Sequence, residues 1–174
     1  MRIYLLRHAS AGNLSADGSD AGRELSAQGR EILRGVLRRA HAAKVSPGLI
    51  LTSPFVRAVE TAEMAGEVLG CAGPIERTSA LVPSASPYDI WEELLLRRGE
   101  IDQVLLVSHQ PLIGHLVAFL LDSPSLEVEI GTATLAAIRG AGRRGLVTGL
   151  PRSAANCLTC CCNVWFWSRS LPCV

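Results

Sequence analysis

The sequence has little net charge and lacks an unbroken apolar run long enough to cross a membrane. Its 174 residues carry a formal net charge of +1, too small to suggest nucleic acid or an anionic membrane as an obligate partner. The stretch Val104–Leu121 approaches membrane-spanning length, but it contains polar residues such as His109 and His115, which a bilayer would make costly. A secretory signal is also missing, because Arg7 and His8 interrupt the first apolar run. The sequence therefore predicts a cytoplasmic protein.

Cysteine is scarce in most of the sequence, because Cys71 is the only one before the carboxyl-terminal tail. The others crowd the end of the chain: Cys157, Cys160, Cys161, Cys162 and Cys173. Cys157 and Cys160 have the spacing of half a zinc site, but no suitable second half follows them. The composition thus predicts a domain over residues 1–142 and an atypical tail over residues 143–174. We interpret the tail as a reading-frame change or a terminal extension, with a metal-binding tail as the alternative.

Strand-like and helix-like segments alternate along the predicted domain. A composition of 48% hydrophobic and 19% charged residues is typical of a globular chain. The alternation predicts an α/β fold, a three-layer sandwich with a mostly parallel central sheet. The predicted strands are Arg2–Leu6, Gly48–Thr52, Ile75–Leu81, Gln103–Val107, Glu127–Ile130 and Thr134–Ile138. The predicted helices are Ser26–Lys44, one that Ser53 caps and Pro54 begins, Tyr88–Arg98 with Leu95 facing inward, and one that Pro111 begins.

Arginine and histidine stand where these predicted strands end. Arg7 and His8 follow the first strand, Arg57 follows the second after Ser53, and His109 follows the strand at Gln103–Val107. An open α/β sheet gathers ligands at the carboxyl ends of its strands. We therefore expect one pocket with two guanidinium groups and two imidazoles. Dense positive charge and a nucleophile that works near neutral pH are what a phosphoryl group requires.

Three short motifs in this order resemble those of the histidine phosphatase superfamily, which has the phosphoglycerate-mutase-like fold. The first is Leu6-Arg7-His8-Ala9, the second Ser53-Pro54-x-x-Arg57-x-x-x-Thr61, and the third Val107-Ser108-His109. A further stretch, Asp20-x-x-Arg23-x-Leu25-Ser26-x-x-Gly29, is similar to the small SixA-type phosphohistidine phosphatase branch. The resemblance covers residues 1–140.

The resemblance implies a role for each pocket residue. His8 would be the nucleophile that forms a phosphohistidine intermediate, which water then hydrolyses. Arg7, Arg57 and His109 would bind the phosphoryl oxygens, and Arg23 would close over the substrate from the first loop. Arginine suits this task because its planar guanidinium makes two parallel contacts with phosphate. No metal or cofactor is expected, since the pocket supplies its own positive charge.

The sequence departs from the superfamily in lacking a clear general acid in the middle of the chain. Relatives that act on phosphate esters carry a carboxylate there to protonate an alkoxide, but residues 79–88 contain none. Asp89 follows, and Glu92 and Glu93 are expected on the outer face of a helix. Asp20 is an alternative proton donor, although a solvated loop carboxylate is the simpler interpretation. Because imidazole leaves without strong acid assistance, the missing acid favours phosphohistidine in a protein as the substrate.

Two other functions stay open at this point. One is a small-molecule phosphomonoesterase of the same superfamily, which a working carboxylate at Asp20 or Asp89 would favour. The other is a phosphate-binding regulatory module without turnover. Such a binder has no need of a nucleophilic histidine in its pocket, so His8 argues against it.

Overall fold

The computed structural model describes residues 1–13, 15, 18–97 and 99–138, together with the backbone of a strand at residues 164–167. Its strands are β1 (Arg2–Arg7), β2 (Leu49–Thr52), β3 (Ile75–Arg77), β4 (Gln103–Ser108), β5 (Leu135–Ile138) and β6 (Val164–Trp167). Its α-helices are α1 (Ala27–Ala42), α2 (Val56–Leu69), α3 (Pro87–Leu96) and α4 (Leu112–Leu120). The strands form one sheet in the order β3-β2-β4-β1-β5-β6. The strands β1 to β4 run parallel, while β5 runs antiparallel to β1.

The sheet is covered on both faces, which confirms the predicted three-layer sandwich. Successive residues of β1 point to opposite faces, as the pleat of a strand requires. Leu5 packs in one core cluster with residues of α3 and α4, such as Ile90 and Leu116. Leu6 packs in a second cluster with residues of α1 and α2, such as Leu33. Central strands buried on both faces read as nearly continuous apolar runs, which is why β1 and β4 were recognisable in the sequence.

The first helix docks its amino terminus directly behind the end of β1. Ser26 caps α1 by accepting a hydrogen bond from the N–H of Gly29 at 3.0 Å. The N–H and the hydroxyl of Ser26 both donate to the carbonyl of Ser10, at 2.9 and 3.1 Å. Gly29 lies so close to this carbonyl that a Cβ atom there would be 2.2 Å from it. The chain that leaves β1 is therefore held against the start of α1.

The structure corrects the predicted start of the second helix and the predicted end of the third strand. The second helix begins at Val56 and not at Pro54, because Phe55 keeps an extended backbone (φ −65°, ψ 135°) and precedes the first helical turn. Ser53 accepts from the N–H of Phe55 at 3.4 Å, so it closes a turn in place of capping a helix. The predicted strand Ile75–Leu81 divides into β3 and a 3-10 helix at Ser79–Leu81.

The segment Glu127–Ile130, predicted as a strand, forms no strand in the structure. Its carbonyl groups are bound by side chains instead of by a neighbouring strand. The Gln110 side-chain amide donates to the Val128 carbonyl at 2.8 Å, and Arg7 donates to the Ile130 carbonyl at 2.6 Å. The predicted inward orientation of Leu95 is also wrong, because this residue of α3 is 41% exposed.

Four residues of the predicted tail belong to the sheet. The backbone of β6 pairs with β5 in antiparallel orientation, with Val164 opposite Ile138 and Trp167 opposite Leu135. The predicted domain boundary at residue 142 and the tail cysteines lie outside the described residues. In the part of the chain that is described, no helix is long and apolar enough to cross a membrane. The cytoplasmic location stays a prediction.

Replacing Gly29 by alanine should destabilise the protein, because the new methyl group would meet the Ser10 backbone. We expect a loss of about 1–3 kcal/mol in the free energy of unfolding, typical of overpacking against a rigid neighbour. Gly35→Ala is the matched control on the same helix: its methyl group meets only the end of the Arg39 side chain, at 3.8 Å. That control should gain about 0.5–1 kcal/mol from reduced backbone freedom. Urea unfolding measures both, and equal effects of the two substitutions would contradict the docking of α1 on Ser10.

Candidate active site

Three parallel strands bring their carboxyl ends to one edge of the sheet. β4 lies between β2 and β1, so the segments after these strands are neighbours. The N–H of His8 donates to the Ser108 carbonyl at 3.0 Å, and the N–H of Ser53 donates to the Val107 carbonyl at 3.0 Å. These bonds continue the pairing of the strands by one residue. They fix where His8 and the turn that leads to α2 leave the sheet.

His8 is held as a neutral imidazole with a defined tautomer. Its Nδ1 lies 2.7 Å from the carbonyl of Ala9, and because a carbonyl can only accept, Nδ1 carries the proton and Nε2 has the lone pair. The pKa of His8 is lowered to about 4, mainly by burial and also by the positive charges of Arg57, Arg7 and Arg23, while the hydrogen bond to the Ala9 carbonyl acts in the raising direction. A neutral ring with an available Nε2 is the nucleophilic form of histidine.

Arg57 lies beside this nitrogen and is 6% exposed. Its Nε donates to His8 Nε2 at 3.3 Å. Its terminal nitrogens donate to Asp20, to the backbone carbonyl and to Oδ2 of the carboxylate at 2.9 Å. Arg57 belongs to the first turn of α2, and the loop that carries Asp20 is fastened there because the Val56 N–H donates to the Ala21 carbonyl at 2.9 Å.

His109 is the most deeply buried histidine of the site, with 2% of its surface exposed. Its ring lies 4.9 Å from that of His8, centroid to centroid. Neither ring nitrogen has a hydrogen-bond partner among the described residues. The pKa of His109 is lowered to about 3, mainly by burial and also by the nearby His8 and Arg57, while the charge of Asp20 acts in the raising direction. Buried polar atoms usually have partners, so these two nitrogens are available to a bound ligand.

Arg7 and Arg23 are placed around this cluster in different ways. Arg7 donates to the Ile130 carbonyl, while its Nε has no partner among the described residues. Burial lowers the pKa of Arg7, and the negative charge of Glu129 opposes that shift. Arg23 donates to the Gly12 carbonyl at 2.7 Å and to Asp20 at 2.8 Å. Both arginines are near enough to lower the pKa of His8.

Asp20 joins the first loop to the site. Its carboxylate binds Arg23 through one oxygen and Arg57 through the other. These two hydrogen bonds lower the pKa of Asp20, so the group is ionised at neutral pH and is poorly suited to donate a proton. The sequence indicated Asp20 only as a solvated carboxylate or a proton donor, and its bridge to both arginines was missed because no local pattern reveals it.

The carboxylates near the middle of the chain have structural partners. Asp89 accepts from the Ser86 N–H at 2.9 Å and completes the capping box of α3. Glu93 accepts from the Thr78 hydroxyl at 2.5 Å, and Glu92 is exposed. The sequence predicted that Glu93 lies on the outer face of the helix, and its bond to Thr78 corrects this prediction. Each of the two bonded carboxylates satisfies a neighbouring donor, and neither is bonded to the histidine cluster.

Two residues of the second motif support the cluster. Thr61 accepts from the Ala9 N–H at 3.2 Å and donates to the Arg57 carbonyl at 2.7 Å, so it links the segments after β1 and β2. Phe55 contacts both Arg57 and His109 through its ring, and the sequence did not indicate it. An aromatic residue two positions before Arg57 was the only available signal.

The sheet edge and its side chains define a class of protein: an α/β protein with arginines around a buried, neutral imidazole at the carboxyl ends of its parallel strands. Residues 3–82, which include His8 and Arg57, match the family model described as histidine phosphatase superfamily (branch 1). The chain belongs to the histidine phosphatase superfamily.

Individual relatives agree with this assignment. The phosphohistidine phosphatase SixA of Escherichia coli (strain K12) is 32% identical over 122 residues, which are 69% of this chain and 74% of that protein. The SixA homolog of Haemophilus influenzae is 30% identical over an alignment of 128 residues, and the match covers 69% of this chain and 77% of that protein. A structure of the protein histidine phosphatase SixA complexed with tungstate has a TM-score of 0.74, with 27% identity over 97% of both chains.

The lowered pKa values of His8 and His109 predict a loss of stability in mild acid. A histidine in the unfolded chain has a pKa near 6.5. In the folded protein the pKa is about 4 for His8 and about 3 for His109. The unfolded chain therefore binds more protons in this window, and the free energy of unfolding falls as the pH falls below about 6.5. Between pH 7.5 and 5.5 we expect a loss of about 1 kcal/mol for each histidine.

Urea unfolding at the two pH values measures this loss, and His109→Gln should remove about half of it. Nitrogen-15 NMR should find both rings neutral at pH 5.5, with the proton of His8 on Nδ1. A free energy of unfolding that does not change between the two pH values would contradict the buried neutral state of both rings.

Proposed function

We propose that this histidine phosphatase removes the phosphoryl group from phosphohistidine in proteins, with His8 as the nucleophile. The observation that carries the proposal is the neutral His8 ring, whose Nδ1 donates to Ala9 and whose Nε2 lies beside Arg57. The names of the Escherichia coli and Haemophilus influenzae relatives support the choice of substrate.

The reaction divides into two displacements at phosphorus. In the first, the lone pair of His8 Nε2 forms a bond to phosphorus while the bond from phosphorus to the substrate imidazole breaks, and that imidazole leaves with the electron pair and takes up a proton. In the second, the oxygen of a water molecule attacks the phosphorus on His8, and the bond from phosphorus to Nε2 breaks so that Nε2 recovers its electron pair. Inorganic phosphate leaves, and one proton of the water is released to solvent. A covalent intermediate replaces one difficult step with two easier ones.

The groups around His8 are suited to the charge that develops on the phosphoryl oxygens. Arg57 and Arg7 supply positive charge in a partly buried site, where electrostatic stabilisation is stronger than in water. His109 offers one N–H donor from its neutral ring. Arg57 Nε points at the nucleophile in this structure, so the proposal requires that this N–H moves to a phosphoryl oxygen when the substrate binds. Arg23 acts at a distance, by holding the Asp20 loop.

The choice of phosphohistidine over an ester depends on proton donation. An alkoxide leaving group needs a positioned acid, which typically contributes about 10²–10⁴-fold to the rate. Asp20 is the carboxylate bonded to Arg57, and its lowered pKa keeps it ionised. Asp89 caps α3. A substrate imidazole has less need of such an acid, so this site fits a phosphoramidate better than an ester.

Substrate preference gives the first test. We expect kcat/KM for a phosphohistidine protein to exceed that for phosphoserine protein and for a sugar phosphate by at least about 100-fold, the scale of a missing general acid. Release of inorganic phosphate measures all three. Equal turnover of the esters would favour the small-molecule phosphomonoesterase, and binding of the phosphoprotein without phosphate release would favour the regulatory module.

Labelling tests the nucleophile independently of substrate preference. Rapid quenching with radiolabelled phosphohistidine protein should trap acid-labile, alkali-stable phosphate on the wild-type chain. His8→Ala should trap none, whereas His115→Ala, which removes an exposed histidine of α4, should label as the wild type does. Label that persists on the His8→Ala protein would overturn the assignment of the nucleophile.

Asp20→Asn distinguishes a general acid from an anchor for Arg57. The backbone carbonyl of residue 20 and one side-chain oxygen still accept from Arg57 in this variant, so we expect kcat to fall less than about tenfold, against about 10²–10⁴-fold for loss of a general acid. Asp89→Asn is the control, because it changes a carboxylate that caps α3. Steady-state kinetics on phosphohistidine and on an ester measure the effect. A selective collapse of ester hydrolysis in Asp20→Asn would favour the phosphomonoesterase.

A further inference from the structure

Phe55 occupies a fixed position at the rim of the candidate active site. It stands between the turn after β2 and the first turn of α2, and its side chain is partly buried. Its carbonyl accepts from the N–H groups of Ala58 and Val59 at 2.9 and 3.0 Å. Its own N–H donates to the Ser53 hydroxyl. Because the backbone is bonded on both sides, the direction in which the ring leaves the chain is set.

The ring of Phe55 contacts two groups of the candidate active site at once. The guanidinium carbon of Arg57 lies over the ring, 4.9 Å from its centroid, which is within the distance of a cation–π interaction. The ring of His109 lies 4.9 Å away at an interplanar angle of 60°, an edge-to-face arrangement that aromatic pairs prefer. Arg57 belongs to α2 and His109 follows β4, so one ring joins two separate elements.

The contact with Phe55 uses the face of the Arg57 guanidinium and none of its N–H groups. The three nitrogens of the guanidinium already point to His8 and Asp20, and N–H donors lie in the plane of the group. Phe55 interacts with the cation over its ring, so a phosphoryl group can replace the present acceptors without breaking the contact. The two ring nitrogens of His109 have no hydrogen-bond partner among the described residues, and this ring contacts those of both His8 and Phe55.

We infer that Phe55 is a positioning residue: its ring orients Arg57 and His109 so that both meet the oxygens of the transferring phosphoryl group. The attraction between the electron-rich face of the ring and the guanidinium cation is the main part of this effect. Phe55 acts through its two neighbours and takes no part in bond making. The inference rests on the proposed function only in that this site binds a phosphoryl group.

Stepwise fluorination of one ring tests the electrostatic part. Fluorine withdraws charge from the ring face while changing its shape little, so 4-fluoro- and 3,4,5-trifluorophenylalanine at position 55 weaken a cation–π contact without opening a cavity. We expect the affinity for orthovanadate, measured by calorimetry, to fall in steps and to be about three- to tenfold lower for the trifluoro ring, the scale of a partly desolvated cation–π pair. The kcat should fall in parallel. The same series at Phe119, which packs against Tyr88 and Trp91, is the control and should leave both values unchanged.

Conventional variants complete the design. Phe55→Tyr should keep vanadate affinity near that of the wild type, and Phe55→Leu should lose more than the trifluoro ring does, while thermal unfolding verifies that each variant folds. A flat fluorination series together with wild-type affinity in Phe55→Leu would overturn the inference. If the protein hydrolyses only esters but its vanadate affinity still falls with each added fluorine, the proposed substrate is contradicted and the positioning role of Phe55 is supported.

Discussion

The parallel pairing of β4 with both β1 and β2 is the constraint on which the site depends. Each strand contributes a different group at its carboxyl end, and the extra hydrogen bonds from His8 to Ser108 and from Ser53 to Val107 extend the pairing into the loops. A slip of one residue in β1 would turn its side chains to the opposite faces of the sheet. The apolar clusters on the two faces oppose such a slip, so core packing and site geometry are maintained by the same register.

Burial and positive charge together set the chemistry of the two histidines. Two imidazoles among arginines stay neutral because a cation there would lose hydration and be repelled, and the lowered pKa values of His8 and His109 express this. The arginines remain charged, and Asp20 supplies a counter-charge to two of them from a loop fastened to α2. In the reaction that we propose, the phosphoryl group of the substrate is itself an anion and would compete with Asp20 for Arg57. The ring of Phe55 adds an attraction for this cation that such a competition leaves in place.

The wrong predictions have separate physical causes, and in the first of them partners distant in sequence decided the local conformation. The segment Glu127–Ile130 has strand-like residues, yet Arg7 and Gln110 bind two of its carbonyl groups in place of a neighbouring strand. Ser53 and Pro54 have the composition of a helix start, but the turn that presents Phe55 delays α2 to Val56. Leu95 fits an apolar helical stripe and is nevertheless exposed. The face of α3 that is buried in the core is narrower than the face that its apolar residues cover.

The sequence by itself determined the layers of the fold and the residues of the pocket. Apolar runs of strand length and helical periodicity are local properties, and the identities of Arg7, His8, Arg57 and His109 are set by short motifs that fall at strand ends. Only the tertiary structure decided what these residues touch: the bridge from Asp20 to two arginines, the link through Thr61, and the ring of Phe55 against Arg57 and His109. Such contacts join elements far apart in the chain. They depend on strand register and burial, which arise when the whole sheet is assembled and which no short window of sequence contains.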